Sequence, residues 1–318
     1  MRYAQYDFVC RFKGPAILPP YKGSTIRGVF GHALKRVACV LRTNRCEQCP
    51  LVGDCLYAMM FIKPPPPSGV AVRSSRPHPF VFQTQDGGRT EYSASDRFEC
   101  SLILFGSIND KLPYFVFAFR EMGKIGMGKR IHGRRGPFEL EKVTCGDHLV
   151  YESGSDTVAV PGQLRYLTPK ADGNVTVSGC KKLQLKLLTP LRFKSNGRLG
   201  RQLDFRELVR LSLRRMSSLM DAFGQGEPKL DYTGIIKRSE KVKTVTSSLR
   251  WFDWQRFSNR QQRHVQLGGL VGDVTYQGDL DEFLPYINFC QKTHLGKNTS
   301  FGLGRFVIEQ ADGKGKEV

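Results

Sequence analysis

The sequence predicts an α+β protein made of two tandem ferredoxin-like domains, with a cysteine-rich loop inserted in the first. Its 318 residues, of which 40% are hydrophobic, are about twice the length of a typical domain and can bury a sizeable core. Strand and helix patterns follow one another in a similar order in both halves. One motif also recurs near the end of each half.

The first half opens with a strand and a helix. Residues from Arg2 to Lys13 alternate between aromatic, polar and charged types, which is typical of a strand. A helix is predicted to begin near Ser24, because apolar residues then recur at the helical spacing of three and four. These residues are Ile26, Val29, Phe30, Ala33, Leu34, Val37 and Ala38. After a polar, loop-rich stretch that ends near Arg97, we expect a strand over Phe98–Phe105, a helix over Leu112–Met122 and a strand over Phe138–Val143.

The second half shows the same kinds of element. A strand is predicted over Lys182–Leu188. Asp204 and Glu207 have the spacing of a capping box, so a helix should begin there, and Gly224 should end it.

The two halves contain a repeated motif. Residues 112–130 read LPYFVFAFREMGKIGMGKR, and residues 284–305 read LPYINFCQKTHLGKNTSFGLGR. In both, Leu-Pro-Tyr opens a helix, and Gly-Lys, Gly-x-Gly and a basic residue follow before a strand. Such self-similarity indicates duplication of one βα unit. Strands before and after each helix pair make two ferredoxin-like domains the economical arrangement.

These patterns suggest domain boundaries. We place the first domain at residues 1–150, with the cysteine insertion at about 39–97. Residues 151–180 are rich in Gly, Ser, Thr and Asp and are predicted to connect the domains. The second domain should span residues 181–310, and residues 311–318 form a polar tail.

The charge balance indicates a polyanionic partner. Lys and Arg number 49 against 29 acidic residues, which gives a net charge of +20. A membrane surface attracts the same charge, but the chain has no long apolar run, so we expect nucleic acid as the partner and no membrane association. The N-terminal pattern is that of a strand and not of a signal peptide, so we expect a cytoplasmic protein.

Glycine-rich basic segments at residues 123–130 and 296–305 are candidate phosphate-binding loops. Glycine lets backbone N–H groups approach an anion, although tight turns also use glycine for conformational reasons alone. Neither segment matches the Walker pattern or a dinucleotide fingerprint. A basic turn that begins at Arg192 precedes the second-half helix. The candidate RNA contacts are Lys129, Arg130, Arg134, Arg135, Lys194, Arg198, Arg201, Gly296, Lys297, Gly302, Gly304 and Arg305.

Basic residues continue beyond this turn. Arg206, Arg210, Arg214 and Arg215 carry the positive charge into the helix, where part of them should form a solvated face. Farther along, three aromatic residues are interleaved with arginines and suit either stacking on unpaired bases or core packing, the more frequent role of tryptophan. This segment contains Arg250, Trp251, Phe252, Trp254, Arg256 and Arg260.

Four cysteines in a short segment predict a structural metal site. Cys39, Cys46, Cys49 and Cys55 can surround one tetrahedral ion, and Zn²⁺ prefers such a closed set of sulfur ligands. An iron–sulfur cluster is one alternative, and unpaired structural thiols are another. Because four sulfur ligands leave no open position, the ion is expected to be structural and not catalytic.

His32 is the candidate general acid or base, because the helical period places it on the polar side of the first helix, near Lys35. RNA cleavage needs one group to take the proton from the 2′-hydroxyl, one to protonate the leaving 5′-oxygen, and a cation for the phosphate. His32, Tyr21 and Lys35 have the chemistry for these roles. No cluster of Asp and Glu suggests a two-metal nuclease, so no catalytic metal is expected. The alternative is that His32 contacts RNA without catalysis.

Several long segments resemble one known family. LPPYKGSTIRGVFGHALKRVAC and CEQCPLVGDCLYAMMF look like its N-terminal signature with a cysteine insertion. LILFGSINDKLPYFVFAFREMGKIGMGK fits its middle block, and LRWFDWQRFSNRQQRHVQLGGLVGDVTYQGDL with GKNTSFGLGRF is similar to its C-terminal block. The chain thus resembles the CRISPR precursor-RNA processing endoribonucleases of the RAMP superfamily, the "Cas-six" family, in a subgroup with an N-terminal cysteine cluster.

This resemblance implies tandem ferredoxin-like (RRM-like) domains and metal-independent cleavage within each CRISPR repeat, which leaves a 2′,3′-cyclic phosphate and a 5′-hydroxyl. It implies a catalytic histidine on the first helix, a position that His32 matches, whereas tyrosine and lysine helpers vary. The expected partners are CRISPR repeat RNA or crRNA and other CRISPR effector subunits. Since some members bind RNA without cutting it, the alternative function is a non-catalytic RNA-binding subunit of an effector complex.

Overall fold

The chain forms two compact units, residues 1–166 and residues 167–318. The structure is a computed structural model, and the part of it described here comprises residues 1–42, 45–62, 76–84, 87–159, 164–168, 179–258 and 263–310. The predicted tail at residues 311–318 and Arg260 lie outside these ranges. Both units combine sheets with helices, which confirms the α+β class.

The first unit contains three helices and a series of strands within the described ranges. The elements in chain order are β1 (Arg2–Phe12), β2 (Ala16–Ile17), α1 (Gly23–Ala38), α2 (Leu56–Phe61), β3 (Phe80–Thr84), β4 (Glu91–Tyr92), β5 (Arg97–Phe105), α3 (Leu112–Ile125), β6 (Met127–Ile131), β7 (Arg134–Gly136), β8 (Phe138–Cys145), β9 (His148–Glu152) and β10 (Arg165–Tyr166).

The main sheet of this unit has ferredoxin-like topology. Its strands lie in the order β3-β5-β1-β8-β9, and neighbouring strands are antiparallel. Along the chain the pattern is β1-α1-β3-β5-α3-β8, so the first strand lies between the third and the fourth. Both crossovers therefore pass through a helix, as the predicted βα duplication requires.

One face of the sheet is covered by α1 and α3. The period-two alternation of β1 sends Tyr6, Phe8, Cys10 and Phe12 into the core. The ring of Phe8 stacks on that of Phe119 in α3, with their centroids 3.9 Å apart. Burial of these rings is what holds the two helices on the sheet.

The opposite face of the sheet carries ion pairs. Glu141 of β8 contacts Arg97 of β5 at 2.6 Å and also Arg11 of β1. Beside them, Lys13 contacts Glu139 at 2.8 Å. Hydrogen bonds from Arg97 and Lys13, respectively, hold the pKa of Glu141 and of Glu139 below its usual range. The cations on this face are thus largely compensated by carboxylates.

The second unit again contains three helices within the described ranges. Its elements are β11 (Lys182–Leu191), β12 (Lys194–Ser195), β13 (Arg198–Leu199), α4 (Phe205–Phe223), α5 (Tyr232–Ser239), β14 (Lys243–Ser247), β15 (Arg250–Phe252), β16 (Gln255–Ser258), β17 (Arg263–Gln266), β18 (Gly269–Gln277), α6 (Leu284–Thr293) and β19 (Phe306–Gln310).

The second unit repeats the topology of the first. Its main sheet has the order β14-β18-β11-β19, again with the first strand between the third and the fourth. The repeated Leu-Pro-Tyr opens α3 at Leu112 and α6 at Leu284, with proline in the first turn of each helix, where its missing N–H costs nothing. The two units are therefore copies of one arrangement.

The residues at both ends of α4 are those that the sequence predicts. Asp204 caps α4, since its Oδ1 accepts a hydrogen bond of 2.7 Å from the backbone N–H of Glu207. The carboxylate of Glu207 instead accepts a hydrogen bond of 2.9 Å from Nε of Arg210. Among the described hydrogen bonds, none joins this carboxylate to the backbone N–H of Asp204, as a full capping box would. Gly224 follows the helix, as predicted.

Two segments differ from the expectation. Residues 80–84, in the stretch interpreted as loop-rich, form the buried strand β3 of the main sheet. Residues 123–125, expected in a glycine-rich loop, complete the last turn of α3, and the rest of that loop forms the hairpin β6–β7. Strand β3 pairs with β5, a contact distant in sequence that decides its conformation, whereas β6 and β7 pair locally across a turn at His132 and Gly133, both with positive φ.

None of the helices in the described ranges is both long and apolar enough to cross a membrane.

The side chain of Phe30 allows a direct test of this core. Phe30 is fully buried between the sheet and α3, with ring centroids of Phe82 and Phe119 at 5.0 and 5.6 Å. We expect Phe30→Ala to lower the free energy of unfolding by about 3–5 kcal/mol in urea titrations, because it leaves a cavity. Phe117→Ala, on the exposed side of α3, is the matched control and should change it by less than about 1 kcal/mol. Similar losses in both variants would contradict the assignment.

Candidate nucleic-acid interface

Helix α1 presents two of the three predicted catalytic residues on neighbouring turns. His32 is exposed, and Lys35 is half-buried with its Nζ 5.7 Å from the ring centroid of Tyr57 in α2. Tyr21 precedes the helix, which begins at Gly23. At 1.5 Å per residue, α1 rises about 15 Å between its start and His32. The structure thus groups His32 with Lys35 and places Tyr21 at the other end of the helix.

Helix α2 packs along the side of α1. Gly31 permits this contact, because a Cβ atom there would lie 3.3 Å from the ring of Phe61. The guanidinium of Arg27 lies 5.0 Å from the centroid of the same ring. Since α2 directly follows Cys55, this packing holds the cysteine-rich segment beside the helix that carries His32.

The hairpin β6–β7 is the basic element of the first unit. Lys129, Arg130, Arg134 and Arg135 are all exposed on it. At Gly128, with φ +88°, a Cβ atom would lie 2.2 Å from the carbonyl oxygen of Ile17, so only glycine lets the hairpin lie against β2. Strand β2 leads into α1, and the hairpin therefore adds four cations next to the start of that helix.

The glycine-rich loop at residues 296–305 is shaped by close backbone contacts. Gly302 and Gly304 are buried, with φ of +90° and +71°, while Gly296 is half-buried. A Cβ atom at Gly304 would lie 1.8 Å from the carbonyl oxygen of Leu295. The buried glycines, predicted as RNA contacts, thus have a clear conformational role inside the loop, and Lys297 is its exposed cation.

Two interior side chains support this loop from behind. His294 is fully buried, and its Nδ1 lies 3.2 Å from the carbonyl oxygen of Leu303. Arg215 of α4 donates from Nη2 to the carbonyl of Thr293 at 2.7 Å and from Nε to that of His294 at 3.2 Å. These bonds satisfy carbonyls at the end of α6 and fix the direction in which the loop leaves the helix.

Burial determines the charge state of both groups. Desolvation lowers the pKa of His294 to about 3, so its ring is neutral at physiological pH. Desolvation also lowers the pKa of Arg215, to about 10, which still leaves this residue charged.

A cluster of four cations surrounds the exposed end of the loop. The backbone N–H of Lys297 donates to the carbonyl of Arg192 at 2.7 Å. Desolvation lowers the pKa of Lys297, and the nearby charges of Lys194, Arg192 and Arg214 lower it further. Four like charges whose repulsion is felt at Lys297 favour the binding of an anion, and we call them the cation cluster.

The structure brings together basic residues from three segments that the sequence did not group. Lys194 and Lys297 were predicted separately as RNA contacts, and Arg192 and Arg214 join them through tertiary contacts. Arg198 and Arg201 are exposed nearby in sequence, and Arg305 is half-buried with its backbone N–H bonded to Thr189 Oγ1 at 2.8 Å. Arg192 was visible in the sequence as the start of the basic turn, whereas its contact with Lys297 is a tertiary one.

The four predicted metal ligands are each half-buried, reduced and close together in sequence. Among the described residues, however, no group of three or more His, Cys, Asp or Glu side chains is arranged to hold an ion. The cysteine positions in this structure therefore do not by themselves form a tetrahedral site, and the metal site stays a prediction.

Comparison with known proteins identifies the family. A family model of an N-terminal domain, AF_1859_N, matches residues 1–163, half of the chain. The model of the CRISPR-associated endoribonuclease Cas6 matches residues 185–306. The chain belongs to the AF_1859_N family and carries a Cas6 domain in its second unit. This domain supports a role in CRISPR-associated RNA processing, and it agrees with the resemblance found in the sequence.

Relatives with similar sequence or fold extend over nearly the whole length of this chain. An uncharacterized protein of Archaeoglobus fulgidus is 26% identical over 303 residues, which are 92% of each chain. The structure of Thermus thermophilus Cas6 is similar with a TM-score of 0.54 and 13% identity, over 97% of this chain and 98% of that one. A chain of a partial Cas6-RT-Cas1–Cas2 complex has a TM-score of 0.59 and 12% identity, over 100% and 47%. At such identities the structural likeness concerns the fold.

Acid should lower the folding stability of this protein through His294. The folded state holds the ring at a pKa of about 3, whereas it titrates near 6.5 in an unfolded chain. Below about pH 6.5 the unfolded state takes up a proton that the folded state does not, so stability falls by up to about 1.4 kcal/mol per pH unit. Arg215, which lies near the ring, stays charged throughout this range and adds no slope.

Urea titrations between about pH 7 and about pH 5 measure this effect. His294→Gln should flatten the profile in that window, while His148→Gln, at an exposed position on β9, should leave the slope unchanged. A wild-type protein whose stability does not fall in this range would contradict a neutral buried ring.

Proposed function

We propose that this protein is an endoribonuclease that cleaves CRISPR repeat RNA in precursor transcripts to give mature guide RNAs. The observation that carries the proposal is the exposed His32 on the first helix of a chain whose second unit matches the Cas6 family model. The cleavage is an attack of the ribose 2′-hydroxyl on the adjacent phosphate, without a catalytic metal. Its products are a 2′,3′-cyclic phosphate and a 5′-hydroxyl.

The reaction requires two proton transfers and charge compensation. One group takes the proton of the 2′-hydroxyl as the new P–O bond forms, and another donates a proton to the 5′-oxygen as its P–O bond breaks. An exposed imidazole can serve either step near neutral pH, which suits His32. Lys35, one turn along the helix, supplies a cation for the phosphate oxygens as negative charge accumulates on them.

The position of Tyr21 restricts how it can contribute. It lies before the start of α1, about 15 Å of helix rise from His32. The 2′-oxygen and the 5′-oxygen bond to the same phosphorus, so Tyr21 can serve the second proton transfer only if its side chain reaches the phosphate that His32 contacts. Away from the cut, the RNA can run along the exposed side of α1 to the basic hairpin β6–β7, which packs against β2 at the Tyr21 end of the helix and provides phosphate contacts.

The charge distribution supports RNA as the ligand. Exposed cations of the hairpin in the first unit, and the cation cluster in the second, replace counterions along a nucleic-acid backbone. One solved structure of similar fold is a Cas6 product complex, and another is a Cas6-RT-Cas1–Cas2 complex. By analogy we propose repeat RNA or crRNA as the main partner, and further CRISPR proteins as additional partners, for a protein that works in the cytoplasm.

A structural Zn²⁺ in the cysteine-rich segment is a separate proposal. Cys39, Cys46, Cys49 and Cys55 have the donor chemistry for a closed sulfur site, and α2 holds this segment beside α1. Their thiols have to move together to enclose an ion, and metal binding commonly drives such folding of a short loop.

Metal analysis tests this site. Protein purified without chelators should contain about one zinc per chain, and the double variant Cys46→Ser/Cys49→Ser should contain none. Visible absorption of the two preparations distinguishes an iron–sulfur cluster, which is coloured, from zinc. A native protein free of both metals would show that the cysteines are simple thiols.

The catalytic role of His32 is tested with labelled repeat RNA in the absence of divalent metal ions. His32→Ala should slow cleavage about 10²- to 10⁴-fold, the usual contribution of a positioned acid or base, and should leave RNA affinity nearly unchanged. His148→Ala is the matched control for loss of an exposed histidine. Cleavage by His32→Ala at the wild-type rate would remove His32 from the mechanism. Tight binding of the cognate repeat without cleavage by the wild type would instead indicate a non-catalytic RNA-binding subunit.

A further inference from the structure

The end of strand β11 is the meeting point of three chain segments in the second unit. A Cβ atom at Gly269 would lie 2.5 Å from the carbonyl oxygen of Leu191, and one at Gly296 would lie 2.5 Å from that of Arg192. On the other side, a Cβ atom at Gly268 would lie 2.5 Å from the carbonyl oxygen of Phe252. These three glycines therefore bring the glycine-rich loop and strand β15 to the same residue, Arg192.

Arg192 connects an aromatic ring to the cation cluster. Its Nη1 donates to the carbonyl of Gly268 at 2.8 Å, which fixes the direction of the side chain. The guanidinium carbon lies 5.8 Å from the ring centroid of Trp251 in β15. Because the carbonyl of Arg192 also accepts a hydrogen bond of 2.7 Å from the backbone N–H of Lys297, Arg192 links the ring to the cation cluster.

Trp251 differs from the aromatic residues of the core. Its side chain is half-buried, and a second guanidinium, that of Arg201, lies 5.3 Å from its ring centroid. Its Nε1–H donates to Oδ1 of Asp253 at 2.7 Å, so the indole is held in one orientation. By contrast, the ring of Phe205 is buried, and its described aromatic contacts are with the rings of Tyr276 and Phe283.

We propose that Trp251, with Arg192 and Arg201, forms a stacking site for the base of an unpaired nucleotide, whose phosphate is bound by the cation cluster. Indole and guanidinium groups both present flat faces on which bases stack, and neighbouring cations bind the backbone. In a duplex the base faces are covered by neighbouring base pairs, so the site selects single-stranded RNA. The proposal deepens the proposed function and rests on it for RNA as the ligand.

Tryptophan fluorescence reports on the site directly, because the chain has only two tryptophans. The variant Trp254→Phe leaves Trp251 as the single emitter. Titration of this full-length variant with a single-stranded RNA of about eight nucleotides should quench its fluorescence with saturation, since a few nucleotides fill one stacking site. The same length of duplex RNA should quench it much less. The converse variant, Trp251→Phe, leaves Trp254 as the emitter and serves as the control.

Affinity measurements separate the base from the phosphate. Trp251→Ala should weaken binding of the single strand about 5- to 150-fold, the range expected for one stacked base, and should hardly change binding of an abasic strand of equal charge. Trp251→Tyr should restore most of the affinity, which shows that any loss in the alanine variant does not come from misfolding. Lys297→Ala should weaken both strands alike, because it removes a phosphate contact.

Two results would overturn the stacking site. One is unchanged Trp251 fluorescence at saturating single-stranded RNA. The other is equal loss of affinity for normal and abasic strands in Trp251→Ala. Cleavage assays on the same preparations distinguish failure of the stacking site from failure of the proposed function. Base-dependent binding without cleavage contradicts the endoribonuclease activity. Cleavage without base-dependent binding contradicts only the stacking site.

Discussion

The close approach of backbones at the end of β11 is the constraint on which the second unit's surface depends. Gly268, Gly269 and Gly296 each lie where a Cβ atom would collide with a neighbouring carbonyl. Such contacts leave no tolerance for a side chain, so the loop, β15 and the end of β11 are fixed relative to one another. This junction therefore determines the positions of Arg192, of the cation cluster and of Trp251.

Behind the junction, the loop is held by groups that carry no surface role. Arg215 donates to carbonyls where α6 ends, and the ring of His294 contacts the carbonyl of Leu303. The hydroxyl of Thr189 accepts a hydrogen bond from the backbone N–H of Arg305. A loop fixed in this way loses little conformational entropy when it binds an anion. The glycines of the repeated motif are thus explained first by packing, and their value for RNA binding is the rigidity that the packing creates.

Much of the fold could be predicted from local patterns. The alternation in β1, the helical period of α1 and the Asp204 cap each identified an element within a few residues of its observed ends. The repeated Leu-Pro-Tyr motif indicates two similar units from the sequence alone. Strand β3 was missed because a fully buried strand has no alternation. The hairpin β6–β7 was missed although its turn at His132 and Gly133 is local, because its basic and glycine-rich residues were interpreted as a loop.

The candidate site, too, could be predicted only where a local sequence pattern determines the position of a residue. The helical period alone places His32 on the exposed side of α1, and the structure agrees. It could not show that Tyr21 lies far along the helix from His32, nor that Arg192 and Arg214 join Lys297, because such groupings depend on tertiary contacts. Likewise, composition suggested glycines that touch RNA, whereas burial of Gly302 and Gly304 is a property of the packed loop.

The ion pairs on the open face of the first sheet have a consequence for how this topology is used. In RRM domains the corresponding surface of a four-stranded sheet stacks bases on aromatic side chains. Here Glu141 pairs with both Arg11 and Arg97, and Glu139 pairs with Lys13. A polyanion gains little there, because it has to compete with these carboxylates for each cation. In the first unit the RRM-like sheet thus carries paired cations, whereas the hairpin β6–β7 carries exposed ones.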